Sequence, residues 1–193
     1  MPLKLTPLQV GPWPMNMYIL TCEASKTSAI VDPGAEPDTI MAAVGSTRVD
    51  KILLTHGHQD HVSALGEIKA RTGAPVYLHP AEHAKFQVPF DVPLAGGDEI
   101  QVGDYTIQAI HTPGHTPGMI SFDIGAGRML VGDTLFGIFR RSVFPPFASD
   151  VREMIQSWKK LLDTGCEIFL PGHGRAISRE RLEREYGRRA EEE

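Results

Sequence analysis

At 193 residues, with 41% apolar and 22% charged residues, the chain has the make-up of an ordinary globular protein. Its net charge of −5 gives no general basic surface for nucleic acid or anionic lipid. No stretch approaches the roughly 18 consecutive apolar residues of a membrane span. The N-terminal MPLKLTPLQVGPWPM, interrupted by Pro2, Pro7, Pro12 and Pro14, lacks a signal-peptide core.

Cys22 and Cys166 are lone and far apart, which argues against a disulfide framework and fits a cytoplasmic protein. In chain order, MYILTCEASKTSAIVDPG predicts two strands, Met17–Cys22 and Ser28–Val31, ended by Pro33-Gly34. Asp38–Val44 reads as a short helix with Gly45 as its C-terminal cap, and Lys51–Thr55 as an apolar strand. Ser63 is expected to cap a helix over ALGEIKART that stops at Gly73. Val76–Leu78 predicts a strand and Pro80–Phe86 a short helix. From Asp98 the texture turns β, with strands at Glu99–Val102, Tyr105–Ile110, Met119–Ile124 and Met129–Val131. Apolar positions 151, 154, 155, 158, 161 and 162 mark an amphipathic helix capped by Ser149 or Asp150. A last strand, Glu167–Leu170, runs into Pro-Gly-His-Gly. The tail SRERLEREYGRRAEEE, with opposite charges at Glu180/Arg184 and Glu185/Arg189, predicts a solvated helix that frays at its end. No linker interrupts this order, so residues 1–193 are expected to form one domain of the α/β class.

The chemistry gathers in LLTHGHQDHV. His56, His58, Asp60 and His61 are four good metal ligands packed after an apolar strand. In an extended loop the rings of His56 and His58 point the same way, whereas Asp60 and His61 need a turn to address one ion. Gly57, with no Cβ, is expected to let the backbone pass close to metal. One four-coordinate zinc cannot readily use all four side chains, but two ions could divide them. His115 in HTPGHTPG, Asp133 after the LVG strand and His173 in PGHG complete five histidines and two aspartates. That is close to what a two-metal hydrolytic site needs, with one bridging carboxylate and a bridging water. His111, before Thr112-Pro113, is expected to be structural; His79 and His83, flanking a helix start, are expected on the surface.

HGHQDH matches the HxHxDH signature of the metallo-β-lactamase fold superfamily, and His115, Asp133 and His173 follow in that family's order. The resemblance spans the chain from MNMYILTCEASKTSAIVDPG to PGHG, and HTPGHTPG, GDTLF and PGHG look most like the glyoxalase II branch. It implies a four-layer αββα sandwich. By the same resemblance His56, His58 and His115 hold a first metal, Asp60, His61 and His173 a second, and Asp133 bridges. Asp32 would support the site from behind the ligands. The ions would be zinc, with iron or manganese as alternatives. A hydroxide shared by the ions would attack an acyl carbonyl, Asp60 managing the proton.

The implied substrate is a small acyl compound, a thioester or ester, with no nucleic acid or membrane involved. Its expected walls are Trp13 and Met15 in GPWPMN, and Phe136, Phe139, Arg140, Arg141 and Phe144 in GDTLFGIFRRSVFPPF. Full-length glyoxalase II proteins carry an additional C-terminal helical domain, whereas about twenty residues follow His173 here, as in the short single-domain relatives. Three alternatives share parts of this pattern. A mononuclear iron persulfide dioxygenase would use only His56, His115 and Asp133. A lactonase or β-lactamase-type hydrolase would keep the same metals, and a zinc-stabilised binding module would catalyse nothing. Sequence pattern does not determine the oligomeric state.

Overall fold

The computed structural model describes residues 3–138 and 142–190. Its elements run β1 (Lys4–Val10), β2 (Met15–Cys22), β3 (Thr27–Val31), α1 (Pro37–Val44), β4 (Arg48–Leu53), α2 (Gln59–Val62), α3 (Leu65–Thr72), β5 (Val76–Leu78), α4 (Pro80–Phe86) and β6 (Val92–Pro93). They continue through β7 (Glu99–Val102), β8 (Tyr105–His111), β9 (Ile120–Asp123), β10 (Arg128–Gly137), α5 (Val151–Asp163), β11 (Ile168–Gly174), β12 (Ile177–Ser178) and α6 (Arg179–Ala190). The strands order as β6-β5-β4-β3-β2-β11-β10-β9-β8-β7 in one mixed sheet, with β1 on β2 and β12 on β11. Strands β3 to β6 pair parallel and β7 to β10 antiparallel. The two halves join where β2 meets β11 at Met15↔His173.

Alternation along the strands sorts their side chains into three apolar clusters. On β2, Met15, Met17 and Ile19 pack with α1 and α3 through Ile40, Val44 and Ile68. Tyr18, Leu20 and Cys22 face the other way, against Ile107, Ala109, Ile120 and Phe122 of β8 and β9. On β10, Leu130 joins that central cluster, while Met129 and Val131 face Met154, Trp158 and Leu161 of α5 and Leu182 of α6. Helices, half-sheet, half-sheet and helices thus follow one another, the αββα layering expected from the resemblance. Asp150 Oδ1 accepts the Glu153 N–H at 3.0 Å and starts α5.

The proline-broken N-terminus, for which no element was expected, forms β1, which pairs only with β2, an edge position where Pro7 is tolerated. Three expectations are corrected. Strand β10 runs on past Val131, because its parallel pairing with β11 resumes across irregularities between Leu130 and Gly132 and between Gly132 and Phe136. Asp133 and His173 therefore lie within strands rather than after them. Ser63 does not cap α3; its hydroxyl donates to Gln59 O and closes α2 instead. The tail helix is anchored, with Leu182 and Glu185 buried, and the expected pairs Glu180–Arg184 and Glu185–Arg189 form at 2.7 and 4.0 Å. The fraying expected beyond it falls outside the described residues.

Candidate metal centre

The segment after β4 runs extended through His58, which stands at the N-terminus of α2 with φ −66° and ψ 145°. The chain then turns, His61 N–H donating to His58 O at 3.0 Å, so α2 is the turn that Asp60 and His61 required. His115 arrives from the β8–β9 loop, Asp133 from β10 and His173 from β11. All seven converge at the rim where the two half-sheets meet. The donor atoms of His56, His58, His115 and Asp133 form one group, and those of Asp60, His61 and His173 another; within each, all lie within 4.8 Å of one another.

The geometry suits ions rather than hydrogen bonding among the residues. His56 Nε2 and His115 Nε2 stand 3.0 and 3.1 Å from His58 Nδ1. Nitrogens sharing a tetrahedral zinc at about 2.0–2.1 Å would lie roughly 3.3 Å apart. His61 Nε2 and Asp133 Oδ1 are 3.3 Å apart and buried, yet neither has a hydrogen-bond partner. Leaving such groups unpaired costs about 1–3 kcal/mol each. Asp133 Oδ2 meanwhile stands 3.5 Å from His115 Nε2, 3.7 Å from His173 Nε2 and 3.9 Å from His56 Nε2. One carboxylate thus touches both groups.

Burial, reinforced by the neighbouring imidazoles, pushes His56 well below its ordinary value. Burial likewise lowers His58, and takes His115 down to about 4. These rings are held neutral, the state in which imidazole binds metal. For His61, burial opposes the charge, but Asp133 and Asp32 outweigh it and raise the ring well above its ordinary value. The hydrogen bond from His173 holds Asp60 down to about 2, and His61 lowers Asp133 against its own burial.

Supporting contacts fix the ligands. Asp32, expected near the site, is buried there; its Oδ1 accepts Thr55 N–H at 2.8 Å, and its Oδ2 lies 2.7 Å from Thr55 Oγ1 and 3.0 Å from His61 Nδ1. Gly172 is required by close approach, since a Cβ there would stand 2.5 Å from both Asp133 Oδ1 and His61 Cε1. Gly57 is also required by packing, since a Cβ there would meet the Phe86 ring at 2.7 Å.

Several supports have no sequence signal. Glu82, on α4, is fully buried, and its two oxygens accept Gly57 N–H at 2.8 Å and Gly118 N–H at 2.7 Å. Asn16 and Tyr18 of β2 donate to Pro171 O, and Asn16 also to Gly174 O, which clamps the His173 segment. Trp158 Nε1–H donates to Thr134 O beside Asp133. His111, expected to be structural, lies 2.9 Å from Pro117 O through Nε2 and stacks on His79 at 4.7 Å. His79 is half-buried and accepts Ala81 N–H, contrary to the surface position expected; His83 is exposed.

A cavity of about 490 Å³ opens onto His58, Asp60, His115, Asp133 and His173. Its remaining walls are Trp13, Phe136, Ile138, Pro146 and Phe147. Trp13 and Phe136 thus stand where a wall was expected. Met15 does not: it is fully buried in the cluster under α1 and α3. Phe144 packs on Trp158 at 5.7 Å. Phe139, Arg140 and Arg141 lie outside the described residues.

Comparison with known proteins places this arrangement. The sequence is 37% identical to an uncharacterized protein of Aquifex aeolicus, over 69% of this chain and 71% of that one. It is 34% identical to a hydroxyacylglutathione hydrolase of Hahella chejuensis, over 75% of this chain but 57% of that enzyme. Its fold superposes on TTHA1623, crystallised in a di-iron-bound form, with TM-score 0.75 and 30% identity, covering 93% of this chain and 98% of that one. The profile of the metallo-beta-lactamase superfamily matches residues 10–173, and the chain belongs to that superfamily.

Proposed function

We propose that the protein is a two-metal hydrolase of acyl thioesters or esters. His56, His58 and His115 hold one divalent ion, Asp60, His61 and His173 the other, and Asp133 lies between them. The observation that carries this is the position of the Asp133 carboxylate, within 3.3–3.9 Å of imidazole nitrogens from both groups while one of its buried oxygens has no hydrogen-bond partner. Two divalent ions bound there supply a water that ionises near neutral pH and polarise an acyl carbonyl. Asp60, half-exposed at the cavity edge and hydrogen-bonded to His173, is placed to take and pass on the proton as the leaving group departs. No serine or cysteine nucleophile stands in the cavity among the described residues. A thioester is supported by the hydroxyacylglutathione hydrolase relatives, of which the chain matches about three fifths. Zinc, iron and manganese all suit these nitrogen and oxygen donors, and the di-iron neighbour keeps iron in play.

The persulfide dioxygenase alternative needs only His56, His115 and Asp133. Asp60 and His61 belong to the signature that both branches share, and the PGHG ending that carries His173 favours the hydrolase. No helix among the described residues is long and apolar enough to cross a membrane, and two buried free cysteines fit a reducing compartment such as the cytoplasm.

The test is metal content of protein purified without chelator, followed by a panel of acyl thioesters, esters, lactones, a β-lactam and glutathione persulfide. The expected result is about two ions per chain with thioester or ester turnover. Asp133→Ala should lose both metal and turnover. One iron per chain, with oxygen consumed on the persulfide, would replace the hydrolase with the dioxygenase.

A further inference from the structure

Every described residue of the cavity wall outside the ligand groups is apolar: Trp13, Phe136, Ile138, Pro146 and Phe147. Two of them are aromatic side chains held in solvent, Trp13 at 77% exposure and Phe147 at 91%. Phe147 does so from a left-handed backbone, φ 61°, a conformation that bulky residues rarely adopt. Strain of this kind, placed beside a reacting centre, is a pointer to use. We infer that Trp13 and Phe147 select an apolar acyl chain in the substrate. This deepens, and rests on, the hydrolase proposal.

The experiment uses metal-loaded protein in two arms. In the first, thioesters of one small uncharged thiol are compared from acetyl to octanoyl. kcat/KM should rise by about fourfold per methylene until the cavity fills, and the slope should flatten in Trp13→Ala and Phe147→Ala. The second arm measures binding of 2-alkanones, from butanone to decanone, which offer the same chain and carbonyl but no scissile bond. The change in tryptophan fluorescence reports it, since Trp13 lines the cavity whereas Trp158, buried outside its wall, gives a constant background. Affinity rising with chain length without turnover of any thioester or ester would end the hydrolase proposal and leave the pocket assignment standing. Turnover with no length dependence in either arm would overturn the pocket assignment alone.

A separate observation concerns Glu82. Its carboxylate is the one link described between the backbone of the His56–His58 segment and that of the His115 loop, through Gly57 and Gly118. A Cβ on Gly118 would stand 2.9 Å from Glu82 Oε1, so the loop is built around this contact. We propose that Glu82 is a positioning residue that sets the spacing of the three imidazoles of one metal group. Zinc titration of metal-free protein against a chromophoric chelator, with the Tm of the same sample, tests it. In Glu82→Ala one binding event should weaken by about 10–100-fold, with Glu82→Gln intermediate, and it should be the event that His58→Ala abolishes. A lowered Tm with both zinc affinities unchanged, or both weakened alike, would reduce Glu82 to a structural role.

Discussion

His61 Nδ1 lies 3.0 Å from Asp32 Oδ2, and Asp32 reaches it from a left-handed backbone with φ 54°. Aspartate tolerates that conformation better than most residues, and asparagine equally so. The hydrogen bond orients the ring and leaves Nε2 facing Asp133 and the centre. Asp32→Asn keeps the backbone conformation but weakens the acceptor for His61. It should lower the affinity for one ion by about 10–100-fold, with a smaller effect on the other, in a two-site zinc titration. Equal affinities in variant and wild type would show that packing alone orients His61.

The same pair gives the site a pH signature. Burial works against a charged His61, but Asp133 and Asp32 outweigh it and raise the ring well above its ordinary value, which favours the protonated form in the metal-free protein. That proton competes with the ion. Affinity of the Asp60–His61–His173 group should therefore rise about tenfold per pH unit while His61 is protonated, and level off above its raised value. His56 and His115 lie on the opposite side of the ordinary value, His115 at about 4, so their group has no such proton to release near neutrality. Calorimetry in two buffers of different ionisation enthalpy should find that one binding event releases about one proton more than the other. Equal proton release in the two events would contradict this.

How far the sequence discloses such a site depends on where its information is local. Ligands crowded into HGHQDH, or set in Gly-Pro loops as in HTPGHTPG and PGHG, stand out because folding alone does not ask for histidine there. Strand identity was legible where alternation was clean, as in β8, or where an apolar run was bounded by turn residues, as in β2. It was not at β10, where Gly132 and Asp133 look like a turn but the parallel partner β11 carries the strand across two irregularities. Nor was it at β1, whose prolines are tolerated only because it is an edge. Glu82 was invisible for a different reason. A glutamate in a short helix reads as a solvated side chain, and its two N–H partners lie 25 and 36 residues away.

Gly172 gives a sharper test than any ligand deletion, because it removes no donor. Its Cβ would stand 2.5 Å from Asp133 Oδ1 and from His61 Cε1, one atom of each metal group's neighbourhood. The opposing backbone and the Asp32 contact leave His61 little room to retreat. Gly172→Ala should abolish tight binding of both ions while the metal-free protein still folds cooperatively, as read by equilibrium dialysis and a thermal melt. Retention of both ions would mean that β11 shifts more freely than its clamp by Asn16 and Tyr18 implies.

Phe147 should show a conflict between stability and use. A bulky side chain held at φ 61° costs on the order of 1–3 kcal/mol, and its exposure means that little packing offsets it. Glycine relieves the strain but restores freedom to the unfolded chain, a loss of about 0.4–1 kcal/mol. Phe147→Gly should therefore gain about 1 kcal/mol and raise Tm by about 2–4 °C in a chain of this size, while Phe147→Ala keeps most of the strain and gains less. Both variants lose the aromatic wall and should bind the longer alkanones more weakly by the same factor. The order of the two melting temperatures separates strain from packing: if the glycine variant melts below the alanine variant, the left-handed backbone at this position costs the fold nothing, and the aromatic ring is there for some other reason.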